Sequence, residues 1–221
     1  MPRPWLAHYP KGVPADISVD GYASLTDLLD RACKQYATRI ACTAMGSDIT
    51  YAQLDAHGRG FAAWLQSLGL PKGSRVALMM PNVPAYLVAL LGTLRAGHAV
   101  VNVNPLYTPD ELQRQLLDSG AAVIVILENF AHTLQSVSDR GQLKHVVVTG
   151  PGDLLGGLKA PLVNLAARYI KKLVPAWHID GAQMLPKLLA TGAGLPFTAP
   201  AISMDDLAVL QYTAAPPACP R

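Results

Sequence analysis

Residues 75–121, RVALMMPNVPAYLVALLGTLRAGHAVVNVNPLYTPDELQRQLLDSGA, decide the fold. Arg75–Met80 and Ala99–Val103 are short apolar runs without the alternation of a strand that has one wet face, so they read as strands buried on both sides. Between them Pro84–Arg95 has the length and composition of a helix. Thr108, Pro109 and Glu111 then supply an N-cap, a proline at the first helical position and a capping glutamate, and Gly120 lies where a helix starting there should stop. Strand, helix, strand, helix in this order predicts a parallel sheet covered on both faces.

Working outward from this stretch, the rhythm continues with strands at Ala122–Leu127 and Lys144–Thr149 and helices at Pro109–Asp118 and Phe130–Ser138. Upstream, Ser24 and Asp27 cap an amphipathic helix carrying Leu25, Leu28, Leu29, Ala32 and Tyr36. Thr50 and Gln53 form a capping box for a second helix, whose stripe runs Leu54, Phe61, Leu65, Leu68 and which Gly69 ends. Ile40–Met45 and Asp48–Thr50 between them resemble a short hairpin. After Gly150 the pattern breaks. Leu162–Val174 reads as a helix, the residues from there to Pro200 as loop, and Leu207–Tyr212 as a last strand. The fold class is therefore α/β, a mostly parallel sheet flanked by helices.

Composition sets the outer limits. Of 221 residues, 51% are hydrophobic and 15% charged, which suits an ordinary globular protein of one large domain or two small ones. The net charge of +3 is slight and its cations are spread along the chain, so no nucleic-acid partner is expected. Cys33, Cys42 and Cys219 form no CxxC pair and no metal-ligand spacing with histidine, which points to free thiols in a reducing compartment. The N-terminus lacks the apolar segment and small-residue cleavage site of a secretory signal, and no apolar run reaches the roughly 20 residues of a membrane span. A cytoplasmic location follows as the expectation.

The usual chemical signatures are missing. No GxGxxG follows a strand, and Gly150, Gly152, Gly156 and Gly157 read as a surface turn because no Lys-Ser/Thr pair closes a phosphate loop. His8, His57, His98, His132, His145 and His178 are scattered, and Asp205–Asp206 read as a turn before the last strand. No residue is assigned as catalytic or as a metal ligand. The helix Leu162–Val174 stands apart. Leu162, Leu165, Ala166, Tyr169, Ile170 and Leu173 make an apolar face beside Arg168, Lys171 and Lys172, a pattern that suits either packing on its own domain or peripheral contact with an anionic membrane.

The quoted stretch resembles the N-terminal domain of adenylate-forming enzymes, and NVNPLYTPDEL (102–112) is most similar to bacterial long-chain fatty-acyl-CoA ligases. The segments WLAHYPKGVPADI (5–17), ENFAHTL (128–134) and NLAARYIKKLVPAWH (164–178) carry the same resemblance, which spans Trp5 to Thr213. It implies the incomplete N-terminal part of the adenylate-forming fold. It also implies a reaction in which ATP, with Mg2+, activates a long-chain fatty acid as an acyl-adenylate and coenzyme A then takes the acyl group. A homodimer, and a cytoplasmic enzyme peripheral at the inner membrane, are the wider expectations for the full-length family. Another carboxylate ligase of the same superfamily and a non-catalytic partner-binding or membrane-binding module are the alternatives.

In that family a loop reading Y-T-G-G-T-T-G-x-x-K-G follows a strand like Leu207–Tyr212 and cradles the ATP phosphates. Here only Tyr212 and Thr213 match it, as a remnant of the cradle, and Ala214 to Arg221 depart. Written in GC-rich codons, T-G-G-T-T-G-V-P-K is ACC GGC GGC ACC ACC GGC GTG CCC AAG G. Deleting one G after the first codon gives T-A-A-P-P-A-C-P-R, which is Thr213 to Arg221. The expected organisation is thus a truncated AMP-binding domain at 1–213 and a frameshifted tail at 214–221, inactive alone. A sheet cut at its last strand is further expected to leave an apolar edge and poor solubility.

Overall fold

A computed structural model describes residues 3–18 and 21–213. After a 3-10 turn at Pro4–His8 that the sequence did not announce, the elements run α1 (Leu25–Gln35), β1 (Ile40–Ala44), β2 (Ser47–Thr50), α2 (Tyr51–Ser67), β3 (Arg75–Met79), α3 (Pro84–Arg95), β4 (Ala99–Asn102) and α4 (Pro109–Ser119). There follow β5 (Val123–Leu127), α5 (Ala131–Gln135), β6 (His145–Thr149), α6 (Lys159–Leu165), β7 (Gln183–Met184), α7 (Leu185–Ala193) and β8 (Val209–Gln211).

Strands β1 and β2 make an antiparallel hairpin, as expected, turning through Met45 and Gly46 at positive φ. The other six form one parallel sheet in the order β7-β6-β5-β3-β4-β8. Successive residues of a strand face opposite sides, and the core divides accordingly. Val76, Leu78, Val100, Val123 and Val125 meet Phe61, Leu65 and Val88 of α2 and α3 and Leu185 of α7. Ala77, Met79, Val101, Ile124 and Ile126 meet Leu112 and Leu116 of α4 and Leu134 of α5. Both faces are dry, which is why these strands lack polar alternation.

The expected capping geometry is present. Ser24 Oγ accepts from the Asp27 N–H, and both capping boxes close, Thr50 with Gln53 and Thr108 with Glu111. Gly69 and Gly120 take positive φ at the ends of α2 and α4. Arg95 at the end of α3 is 5% exposed, and its guanidinium ties α1 and α2 to α3. Its Nε donates to Asp30 at 2.7 Å, Nη1 donates to the Asp55 carbonyl at 2.9 Å, and Nη2 pairs with the Asp55 carboxylate.

The second half departs from the expected pattern in five places. The stretch read as loop up to Pro200 contains β7 and α7; a proline early in α7 and glycines at its end disguised a packed helix. The helix expected at Leu162–Val174 starts earlier, at Lys159, and passes into a π-helical turn, Ala166–Ile170, before Lys172 breaks it at φ 49°. The helix expected at Phe130–Ser138 is a 3-10 turn, Glu128–Phe130, followed by the short α5. The turn expected at Gly150, Gly152, Gly156 and Gly157 is a surface feature only at its end: Gly156 and Gly157 are exposed, whereas Gly150, Gly152 and Asp153 are buried. The last strand is also shorter than Leu207–Tyr212, because Asp206 holds the preceding turn through Ser203 and Lys72.

Candidate functional site

In open parallel sheets, ligands bind beyond the carboxyl ends of the strands, so the loops after β3, β4, β5 and β8 define the edge where chemistry would take place. At that edge Asn102, closing β4, is the centre of a polar network. The Tyr86 hydroxyl donates to Asn102 Oδ1 at 3.0 Å, Asn102 Nδ2 donates to Gln211 Oε1 at 2.8 Å, and Gln115 Nε2 donates to the Asn102 carbonyl at 2.8 Å. This network joins α3, β4, α4 and β8, and fixes where the chain leaves the sheet after Gln211.

Of the two residues singled out by sequence, Tyr212 is half-buried and Thr213 exposed. The Tyr212 hydroxyl donates to the Asp118 carboxylate on α4. Its pKa is pushed up to about 12, first by burial and then by the Asp118 hydrogen bond and charge. The phenol therefore stays protonated at neutral pH and anchors the chain to α4, turned away from any acid-base role. Thr213 leaves the sheet beside it. The rest of the expected phosphate loop, 214–221, lies outside the described residues.

A hollow of about 320 Å³ runs along α4 beneath Tyr212, lined by Tyr107, Glu111, Arg114, Gln115, Asp118 and Tyr212. It holds two carboxylates against one guanidinium. Glu111 is already engaged: the Thr108 N–H and hydroxyl donate to it and hold its carboxyl below the usual range. The donor set here does not suit a triphosphate. In the sequence that follows, Pro216, Pro217 and Pro220 carry no N–H, and the alanines carry a Cβ where the resembling loop has glycine. Among the described residues, no group of three or more His, Cys, Asp and Glu could hold a metal ion.

The sequence reading missed Asp118, Gln115, Asn102 and Tyr86. Glu111, Gln115 and Asp118 fall at i, i+4 and i+7, a polar stripe beside the buried Leu112, Leu116 and Ser119, and that spacing was the available signal. The Asp205–Asp206 reading as a turn matches the observed geometry. The Ser203 N–H donates to Asp206 at 2.8 Å and Lys72 pairs with it at 2.8 Å, the lysine first and the Ser203 amide next lowering its pKa.

Residues 29–214 match the family described as AMP-binding enzyme. The chain is 49% identical over 214 residues to a long-chain-fatty-acid–CoA ligase of Salmonella typhimurium, an alignment covering 96% of this chain and 38% of the relative. It is 45% identical to the Haemophilus influenzae protein of the same description, with the same coverage. The chain thus spans about two-fifths of the length of these relatives. Among solved structures, the anthranilate CoA ligase AuaEII in complex with anthranoyl-AMP superposes with a TM-score of 0.68 at 19% identity, over 88% of this chain and 33% of that one. At that identity the likeness speaks for the fold alone.

Proposed function

Because the chain belongs to the AMP-binding enzyme family, we propose that it is the N-terminal part of an ATP-dependent long-chain fatty-acyl-CoA ligase. Residues 1–213 are the AMP-binding portion, and 214–221 are a frameshifted tail that leaves this form inactive. The observation that carries the reading is identity close to one half, held over almost the whole chain, to relatives described as fatty-acid–CoA ligases. A ligase acting on another carboxylate would share the fold, but not identity at that level with this one group.

In a complete enzyme of this kind ATP and Mg2+ supply the activation of the fatty carboxylate, and coenzyme A accepts the acyl group. A carboxylate beside an anionic triphosphate needs preorganised N–H donors and cations to offset the developing charge. Here the part of this chain in the site is scaffolding. The Asn102 network and the Tyr212–Asp118 bond hold the end of β8 in place, so that a glycine-rich turn continuing from Thr213 would start from a fixed point. The tail actually present has alanine at the glycine positions of that turn and prolines that carry no N–H. Its nine-residue agreement from Thr213 with a one-base shift supports a broken reading frame, because each shifted codon begins with the middle base that the original residue dictates. The full-length ligase acts in the cytoplasm, peripheral at the inner membrane and as a homodimer, as the resemblance of the chain to this family implies.

The test is a thioester assay with ATP, Mg2+, coenzyme A and long-chain fatty acids, run on this chain and on a gene with the frame restored. Acyl-CoA is expected only from the restored protein. Tight, magnesium-dependent nucleotide binding to the 221-residue chain, or a restored protein that acts on other carboxylates but not on fatty acids, would overturn the reading.

A further inference from the structure

The segment 158–173 is built the wrong way out for a helix that belongs to a core. Its large apolar side chains face solvent: Leu158 is 81% exposed, Leu162 62%, Leu165 53%, Tyr169 65%, Ile170 76% and Leu173 55%. Leu158, Leu162, Leu165 and Tyr169 follow spacings of four, three and four, which places them along one side. The inward side carries Ala160, Val163, Asn164 and Ala167, again at helical spacing, buried or half-buried and each smaller than the outward leucines.

That inward face is seated by contacts that leave no room for larger groups. The Gly152 N–H donates to Asn164 Oδ1 at 2.6 Å, and Asn164 Nδ2 donates to Asp153 at 2.9 Å. A Cβ on Gly152 would stand 2.5 Å from the Ala160 carbonyl oxygen, and one on Gly150 2.7 Å from Asn164 Oδ1. Asp153 in turn accepts from Thr149 Oγ1 and the Gly150 N–H, rooting the helix in the end of β6. At its far end Arg168 pairs with the buried Glu128, and Asn129 Nδ2 donates to the Leu173 carbonyl at 2.9 Å, rooting it in the end of β5. The outward leucines therefore cannot be explained as a helix that has simply failed to turn inward. The helix is fixed in the orientation that displays them.

The charge around this face has one sign. Residues 158–173 contain Lys159, Arg168, Lys171 and Lys172 and no acidic residue. Arg168 is engaged by Glu128, whereas among the described residues no carboxylate pairs with Lys159, Lys171 or Lys172. An apolar stripe bordered by unpaired lysines, with Tyr169 on the same side, complements the acyl boundary and anionic headgroups of a lipid surface. Among the described residues no helix is long and apolar enough to cross a membrane, so the proposed contact lies in the interface plane.

We propose that the outward face of 158–173 is a rigid docking surface for an anionic lipid bilayer, held by Asn164 and Arg168 at the carboxyl edge of the sheet. The proposal rests on the peripheral location in the functional reading above, but not on the ligase chemistry. Its consequence is that the sheet edge of the candidate site is kept at a fixed position relative to the membrane, which suits a substrate delivered from lipid.

A flotation assay tests this, because aggregates sink while vesicle-bound protein rises. The 221-residue chain is floated with vesicles of phosphatidylcholine alone and of phosphatidylcholine with phosphatidylglycerol. Binding to the anionic vesicles that weakens with salt is expected. Lys171→Ala with Lys172→Ala should weaken it by about 30-fold, and Leu162→Asp with Leu165→Asp by about 100-fold or more. These positions are exposed, so the variants should keep the wild-type circular dichroism. Absence of flotation, equal flotation with neutral vesicles, or insensitivity to the leucine pair overturns the proposal. So does a concentration-dependent dimer abolished by the same leucine pair in the absence of lipid binding, which would assign the face to a second copy of the chain. Failure here leaves the thioester assay unaffected, and failure there leaves flotation unaffected.

Discussion

His98 shows how a single residue sets a pH dependence. It lies 4% exposed beyond the end of α3, its Nδ1 has no hydrogen-bond partner among the described residues, and burial pushes its pKa below 6.5. Lys72 and Asp206 line the same hollow but are paired with each other at 2.8 Å, so neither charge is free to favour a protonated imidazole. In the unfolded chain the ring takes up a proton near pH 6.5, while in the native state it remains neutral to lower pH. Stability is therefore full above that value and falls as pH drops below it, by at most about 1.4 kcal/mol per pH unit for one group. His57 and His145 are shifted in the same direction, first by burial. The urea midpoint should fall between pH 7 and pH 5, and His98→Gln should flatten that slope whatever it does to stability at pH 7. An unchanged slope in the variant would remove His98 from this account. At this same scale the candidate site was only partly readable. Tyr212 and Thr213 could be found by their order after a strand, but the partner of Tyr212 could not. Asp118 lies 94 residues earlier, and only the pairing of β8 with β4 brings the two together.

Among the elements, the tightest junction is between α2 and α7. A Cβ on Gly192 would stand 2.0 Å from the Gly60 carbonyl oxygen, and one on Gly60 3.0 Å from the Leu189 carbonyl, so the two backbones touch where side chains would normally intervene. Gly192→Ala gains about 1 kcal/mol of helix propensity, whereas overpacking costs about 1–3 kcal/mol or more, and a backbone oxygen cannot rotate aside. Net destabilisation of at least about 2 kcal/mol is expected by urea unfolding. Gly194→Ala is the control, since its Cβ would meet only Thr191 O at 3.6 Å and should be close to neutral. Equal effects of the two would mean that the crossing can relax. The same junction explains what the sequence hid. Leu185, Leu188, Leu189 and Gly192 do follow i, i+3, i+4, i+7, but Pro186 and the glycines read as breakers when their tertiary partner is unknown. The capping boxes at Thr50 and Thr108, by contrast, depend only on neighbours three residues away, and both were legible. Strands β3 to β6 were legible for a related reason: burial on both faces writes itself into consecutive residues.

For the molecule as a whole, the sheet is uneven from side to side. Strands β3 and β5 are enclosed on both faces and paired on both edges, while β8 pairs with β4 alone among the described residues. Val209 and Leu210 of β8 are only half-buried, and Met204 and Leu207 just before it are 55% and 50% exposed. A parallel strand with one row of peptide groups unpaired and apolar side chains beside it is a template for association, and a net charge of +3 provides little repulsion to oppose it. Light scattering should therefore show a mass per particle that rises with protein concentration. This edge is distinct from the outward helix face. The helix is rooted at β5 and β6, and β5 stands three positions from β8 in the strand order. Leu162→Asp with Leu165→Asp should accordingly abolish flotation while leaving the concentration dependence of mass intact. A chain that stays monomeric at high concentration and unfolds reversibly would show that β8 is not a free edge in solution. Loss of association in the leucine variant would instead merge the two surfaces into one.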